Sequence, residues 1–90
     1  MLKTLEDLVT LARERKKNPV KGSYTNKLLE DETLSKEKVL EEISELIESV
    51  EKNTNKIHEA ADVFYHLIIY LEKSGIMIEE VMNELKQRKK

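Results

Sequence analysis

The sequence predicts an all-α domain of four to five helices, and three observations carry that expectation. Only two glycines and one proline interrupt 90 residues. Charged residues (38%) and hydrophobic residues (39%) are nearly balanced, which suits amphipathic helices better than a β protein. Apolar residues recur three and four positions apart through most of the chain, the period of a helix with one buried face. A chain of this length makes one domain, 1–90, with a marginal core, so oligomerisation enters as an expectation from the start.

Leu2, Leu5, Leu8, Val9 and Ala12 place the first helix over about Leu2 to Lys17. It ends before Asn18-Pro19, because the residue ahead of a proline is pushed out of the α region. Val20 to Thr25 combines Gly, Ser and Thr and reads as a loop, with Asn26 to Leu29 as a short helical turn. Glu30 to Leu34 shows no period and reads as a connector. Ser35 is the expected N-cap of the next helix, without a capping box, since Lys38 stands at N3. Val39, Ile43, Leu46, Ile47 and Val50 form that helix's apolar, buried stripe as far as about Lys52, and Asn53-Thr54-Asn55 breaks it. The most apolar helix follows, from about Lys56 to Lys73, with Gly75 placed as its C-terminal cap. The last helix carries Ile78, Val81, Met82 and Leu85 inward, with Glu79 and Glu80 in the first turn, where the helix dipole favours them. Tyr65 and Tyr70 read as packing residues and the three methionines as core filler.

Net charge is −2 with both signs mixed, which argues against a basic nucleic-acid surface; the Lys89-Lys90 pair reads as a solvated helix end. The absence of cysteine excludes disulfide and thiolate chemistry and fits a reducing compartment. The N-terminus is amphipathic and acidic, unlike a signal peptide, and the apolar run Val63 to Leu71 is far shorter than a bilayer span. The expectation is a soluble, cytoplasmic protein without a nucleic-acid or membrane partner.

The chemistry concentrates in two acidic segments. At about 100° per residue, Glu59, Asp62 and His66 fall within one sector of the apolar helix, where carboxylates must be neutralised, paired or bound to a cation. Glu41, Glu42 and Glu45 share one flank of the preceding helix, where their repulsion is unfavourable without a cation or solvent. Thirteen residues separate Glu45 from Glu59, enough to close an antiparallel pair and bring up to five carboxylates together. An all-oxygen set suits Mg²⁺ or Mn²⁺, completed by substrate phosphates, and the chemistry to expect is phosphoanhydride hydrolysis. Spacing alone leaves a bland alternative open: adjacent glutamates are commonly a solvated face, as Glu48 and Glu51 are read here, and Glu59 and Asp62 could face a gap or pair with Lys38. His66 reads as a metal ligand or, more simply, a hydrogen-bonded core or pocket residue. His58 is expected on a different face from the carboxylates and exposed.

Glu41-Glu42-x-x-Glu45 followed by Glu59-x-x-Asp62 resembles the metal-binding signature of the all-α nucleoside triphosphate pyrophosphatases, the MazG-like superfamily. Within it, Gly22-Ser23-Tyr24-Thr25 with Leu28-Leu29, and Glu59-Ala60-Ala61-Asp62 leading into Tyr65-His66-Leu67, are similar to the phosphoribosyl-ATP pyrophosphohydrolases of histidine biosynthesis. Lys38-Val39 and the closing helix Val81 to Arg88 fit as well, so the resemblance covers roughly Pro19 to Arg88. The carboxylate signature belongs to the whole superfamily; the Gly-Ser-Tyr-Thr loop with the Tyr-His ending is more specific.

The resemblance implies hydrolysis of phosphoribosyl-ATP to phosphoribosyl-AMP and pyrophosphate, with cleavage between the α and β phosphates, a Mg²⁺ requirement, and a homodimer whose subunits complete one helical bundle. It makes Glu41, Glu42, Glu45, Glu59 and Asp62 the catalytic and metal-binding set. It assigns substrate contacts to Gly22, Ser23, Tyr24, Thr25 and His66, with Lys27 and Lys38 offsetting the substrate's charge. Glycine would let backbone approach the phosphates, and Ser23 and Thr25 would hydrogen-bond them. Two departures stand out: Leu40 where a small residue often precedes the glutamate pair, and no glycine in the Glu30 to Leu34 connector. The rival readings are a house-cleaning pyrophosphatase of the same superfamily and a non-enzymatic helical interaction module. A di-iron carboxylate bundle expects Glu-x-x-His motifs that this chain lacks.

Overall fold

The computed structural model describes residues 2–89 as five helices: α1 Lys3–Lys17, α2 Tyr24–Glu30, α3 Glu32–Lys52, α4 Lys56–Lys73 and α5 Ile78–Arg88. Met1 and Lys90 lie outside the described residues, and with them part of the expectations for the methionines and the terminal lysine pair. None of the described helices is long and apolar enough to cross a membrane.

Helices α3 and α4 form the long hairpin of the molecule and pack along each other's length, while α1 and α2 cover the other side of α4. The apolar centre lies between α1, α2 and α4, where Ala12, Leu28 and Ile69 are fully buried and Leu8, Leu29, Leu34 and Tyr65 pack around them. By contrast, the α3 residues buried within the chain are Ser35, Glu42 and Ser49. The seam of the hairpin therefore places polar groups where a bundle of this kind would ordinarily carry leucines.

Local chemistry explains the elements, with one correction. Asp31, not Ser35, caps α3: its Oδ1 accepts from the Leu34 N–H at 3.0 Å, and Ser35 sits buried within the helix. The connector expected at Glu30 to Leu34 is thus the last residue of α2, a one-residue joint, and the first turn of α3. Asp31 wins because it offers a short acceptor one residue ahead of Glu32, an acidic first-turn residue that the dipole favours. The joint also ends α2, with the Asp31 N–H donating to the Lys27 carbonyl at 3.1 Å. At the other end of α3, Asn53 takes a left-handed conformation (φ 57°), and Thr54 N–H closes onto the Ser49 carbonyl at 2.9 Å. Gly75 behaves as expected: at φ +76° it lets the Gly75 N–H reach the Glu72 carbonyl and the Ile76 N–H reach the Leu71 carbonyl, the paired bonds of a Schellman cap.

The apolar stripes are the second correction. Ile43, Ile47 and Val50, expected to be buried, are exposed, and Leu40 joins them at 66% exposure; Val39 and Leu46 are half-buried. Ile57 (88% exposed) and Phe64 continue an outer apolar band on α4. On α5, Met82 and Leu85 are exposed and Ile78 and Val81 only half-buried, while Met77 is exposed too, so these methionines are not core filler. The physical reason is size: the other four helices all pack on α4, and among the described residues nothing covers the outer face of the hairpin. The radius of gyration, 14.1 Å, exceeds the roughly 12 Å of a compact domain of this length.

Helix α5 is held mainly by charge. Arg13 on α1 forks to both oxygens of buried Glu72 on α4, at 3.1 Å each, and to both oxygens of Glu79 on α5, at 2.6 and 2.9 Å. The guanidinium holds the Glu79 carboxyl down at about 2, through the hydrogen bond first.

Candidate active site

The polar seam between α3 and α4 gathers three of the five expected carboxylates. Glu42, Glu45 and Glu59 each direct an oxygen to a common region in which all three lie within 4.8 Å of one another. Asp62 joins through Glu59, in a second group with His58 of the same span. Glu41 belongs to neither group: it is exposed and bonds Lys38 Nζ at 3.2 Å.

Glu42 is the buried member, with 5% of its surface exposed. Its Oε1 meets Lys38 Nζ at 3.2 Å, whereas its Oε2 is buried with no hydrogen-bond partner, as is Oε2 of Glu59. Leaving two buried carboxylate oxygens unbonded is costly, and a cation between them would remove that cost. The electrostatics agree. A hydrogen bond with Glu42, then burial and the surrounding charges, pushes the Glu45 carboxyl up to about 7. Without a cation, Glu45 keeps its proton toward neutral pH, because ionising it among neighbouring carboxylates is costly. Lys38 remains charged: its bonds to Glu41 and Glu42 outweigh the burial that opposes its charge. Beyond Glu45 and Glu59 the seam opens into a cleft of about 240 Å³ that also reaches Ser49, Lys52 and Asn55.

His58 was expected on a face away from the carboxylates. It is exposed, but its Nε2 lies 3.4 Å from Asp62 Oδ2. Positions four apart on a helix share a face, so this neighbour was legible in the spacing. Glu48 and Glu51 are exposed as expected, Glu48 pairing with Lys52.

The Gly22 to Thr25 loop lies against α4 and is anchored from inside. Gly22 takes φ +82°, a turn that glycine makes without strain. Ser23 is the N-cap of α2, its Oγ accepting from the Asn26 N–H at 3.2 Å and from Arg15 at 2.6 Å. Buried Thr25 pairs its Oγ1 with the Tyr65 hydroxyl at 2.5 Å. The Tyr24 hydroxyl bonds His66 Nε2 at 3.0 Å, and His66 Nδ1 bonds the Asp62 backbone carbonyl at 2.8 Å. That carbonyl can only accept, so Nδ1 carries the proton, Nε2 of the neutral ring accepts, and Tyr24 is the donor. Both His66 nitrogens and the Thr25 hydroxyl are thus engaged within the chain. Lys27 is exposed.

Asn26 and Arg15 were not singled out from the sequence. The Asn26 side chain, buried, donates to the Arg15 carbonyl at 2.9 Å and accepts from the Val20 N–H at 2.9 Å, fastening the loop to the end of α1. A serine N-cap three residues ahead marks Asn26 as a first-turn position, but nothing in that pattern signals a long-range clamp.

Comparison with known proteins identifies a family for the chain. The family described as phosphoribosyl-ATP pyrophosphohydrolase matches residues 5–89. The chain is 40% identical over 93 residues to the phosphoribosyl-ATP pyrophosphatase of Bacillus mycoides, covering 93% of this chain and 85% of that one. It is 39% identical over 92 residues to the phosphoribosyl-ATP pyrophosphatase of Clostridium novyi, covering 96% and 81%. It is also 39% identical over 92 residues to the histidine biosynthesis bifunctional protein HisIE of Pyrococcus furiosus, where it covers 99% of this chain but only 43% of that protein. No solved structure matches the chain. With the family match running nearly end to end and the two pyrophosphatases aligned over most of their length, the chain belongs to the phosphoribosyl-ATP pyrophosphohydrolase family.

Proposed function

We propose that this chain hydrolyses phosphoribosyl-ATP to phosphoribosyl-AMP and pyrophosphate, the second step of L-histidine biosynthesis, and that the α3–α4 seam is where it does so. One observation carries the reading: Glu42 and Glu59 each bury an unbonded carboxylate oxygen beside Glu45, in a chain of this family. The residues fit a hard divalent cation, because every donor of the group is a carboxylate oxygen and the chain has no cysteine. Glu42, Glu45 and Glu59 would hold Mg²⁺, or Mn²⁺, with Asp62 on the same acidic sector and Glu41 reached through Lys38. When bound, the cation supplies charge neutralisation at the phosphate oxygens.

The chain's own residues do the rest. Lys38 keeps a positive charge beside the carboxylates, where polyphosphate oxygens would otherwise meet only negative groups. A carboxylate of the acidic set left off the cation would accept the proton of the attacking water. The Gly22 to Thr25 loop, with Lys27, supplies the substrate side; Ser23 and Thr25 shape it from within, and Gly22 presents backbone. A cytoplasmic location and the absence of a nucleic-acid or membrane partner belong to the same proposal.

Homodimerisation completes the reading. Leu40, Ile43, Ile47 and Val50 are exposed at helical spacing along α3, and Ile57 and Phe64 are exposed on α4, more apolar surface than a monomer of this size ordinarily keeps in water. A second copy laid against it would turn the hairpin into a four-helix bundle. Sedimentation of the wild type and of Ile47→Asp tests this; a monomeric wild type would refute it.

The deciding assay for function is pyrophosphate release from phosphoribosyl-ATP with Mg²⁺, set against a panel of nucleoside triphosphates. Selective release from phosphoribosyl-ATP is the expected result. Brisk release from another triphosphate, with none from phosphoribosyl-ATP, would leave a house-cleaning pyrophosphatase instead. Activity indifferent to EDTA or to Asp62→Asn would refute the metal mechanism, and no release from any triphosphate together with no stabilisation by divalent cations would point to a helical interaction module.

A further inference from the structure

Tyr24 is oriented in reverse for a surface tyrosine. Such a residue usually buries its ring and leaves its hydroxyl in water. Here the hydroxyl points inward to His66, itself only 6% exposed, while 45% of Tyr24 remains exposed. The tip is therefore fixed while nearly half of the residue stays exposed. His66 cannot swing to follow it, because its Nδ1 is tied to the Asp62 carbonyl. Two more contacts set the plane of the ring: His66 meets it edge-on with centroids 5.8 Å apart, and Tyr65 lies nearly parallel at 6.3 Å and 15°. Packing alone gives no reason to orient a half-exposed ring this closely.

The position of the ring relative to the carboxylates matters as much. His66 lies seven residues beyond Glu59 on α4, about 10 Å along the helix axis, and Lys38, Glu41 and Glu42 are the charged neighbours of the Tyr24 hydroxyl. A nucleotide whose phosphates reach the Glu42, Glu45 and Glu59 group would bring its base, across a ribose and an α-phosphate, to this ring.

We propose that Tyr24 is the purine platform of the site: the adenine of the substrate stacks on its exposed face, and His66 is a positioning residue that acts by holding the Tyr24 hydroxyl. This rests on the reading of the carboxylate group as the triphosphate site and adds what that reading lacks, the element that recognises the base. Offset stacking between flat π-systems is sequence-tolerant and strong enough to matter, worth about 5- to 150-fold in affinity per base.

The test separates base from phosphate. KM for phosphoribosyl-ATP and the inhibition constant of Mg²⁺-tripolyphosphate, which has no base, are measured for wild type, Tyr24→Leu, Tyr24→Phe, His66→Gln and the Tyr24→Phe, His66→Gln double variant. Tyr24→Leu is expected to raise KM about 5- to 150-fold while leaving the tripolyphosphate constant unchanged. Tyr24→Phe keeps the ring but frees its tip, so KM rises less, and the double variant is no worse than the more damaging single one because both break the same bond. With three tyrosines and no tryptophan in the chain, quenching of tyrosine emission by Mg²⁺-ATP gives a second readout, which Tyr24→Leu should diminish. Equal weakening of phosphoribosyl-ATP and tripolyphosphate, or a loss confined to kcat, would overturn the platform. Failure of tripolyphosphate to bind the wild type would instead overturn the triphosphate site on which it rests.

Discussion

Glu42→Gln keeps the shape of a buried side chain and removes one charge from the carboxylate group, and its effect on folding should depend on the cation. In EDTA the variant loses its ion pair with half-exposed Lys38, a contact of about 0–1 kcal/mol, and gains relief from the repulsion of Glu45 and Glu59. The two changes oppose each other, so the metal-free Tm should move little. With Mg²⁺ at a hundred times its dissociation constant, the wild type gains about 2.7 kcal/mol. For a domain of this size that is a rise of about 11–22 °C in Tm. Glu42 supplies one of the two buried, unbonded oxygens, and loss of even an outer partner of a metal site costs about 10–100-fold in affinity. A 100-fold loss leaves about 0.4 kcal/mol at the same Mg²⁺ concentration, or a rise of about 2–3 °C. Calorimetric scans at fixed protein concentration, with EDTA and with a Mg²⁺ series, give the comparison. A wild type that gains nothing from Mg²⁺, or a variant that gains as much, would refute the assignment of Glu42 as a ligand.

Three further outcomes follow from groups already described. Because the folded Glu45 carboxyl sits at about 7 against an ordinary 4.5, the metal-free protein should lose stability as pH rises from about 4.5 to about 7. Mg²⁺ binding near pH 7 should release a proton, seen as a buffer-dependent calorimetric heat. Glu79 runs the other way: held at about 2 by Arg13, it contributes stability above pH 4.5 that fades as pH falls toward 2. Glu79→Gln should flatten the acid limb of a circular-dichroism titration in that window, and an unchanged limb would mean the clasp does not hold α5. Ile69→Ala, at a fully buried position of the centre, should cost about 2–5 kcal/mol in urea unfolding; a loss below 1 kcal/mol would place the core elsewhere.

Much of this architecture could be read from residue order because the signals were local. Proline 19 and Gly75 mark helix ends through backbone geometry alone, and the three-residue break at Asn53 to Asn55 is visible as a gap in the apolar period. The convergence of Glu42, Glu45 and Glu59 followed from the short turn between two long helices. The start of α3 was misplaced because its first turn offers only Leu34 to a periodicity argument, while Ser35 and Asp31 are both competent caps. The burial of Ile43, Ile47 and Val50 was misjudged for a deeper reason. Periodicity identifies a face but not what covers it, and here the face toward α4 is the one bearing Ser35, Glu42 and Ser49 at seven-residue spacing. Glu41 and Glu42 could not be separated by type, yet one step of about 100° puts Glu42 in the seam and Glu41 in solvent. The internal bonds of Ser23, Thr25 and His66 depend on contacts across as many as 42 positions, which no local pattern encodes.

The one-residue joint at Asp31 has a consequence for how substrate meets the enzyme. Because a single residue ends α2 through its backbone N–H and begins α3 through its side chain, no slack separates the Gly22 to Thr25 loop from the helix that carries Lys38 and Glu42. Lys73 reinforces the corner by donating to the Leu29 carbonyl at 2.9 Å. The loop and the carboxylates are thus two ends of one stiff bracket, and under the proposed function their spacing would be set before any nucleotide arrives. A bracket of this kind spares the complex the entropy of ordering a loop on binding. It also acts as a ruler: ligands whose phosphates and base are spaced differently are disfavoured by geometry rather than by any single contact.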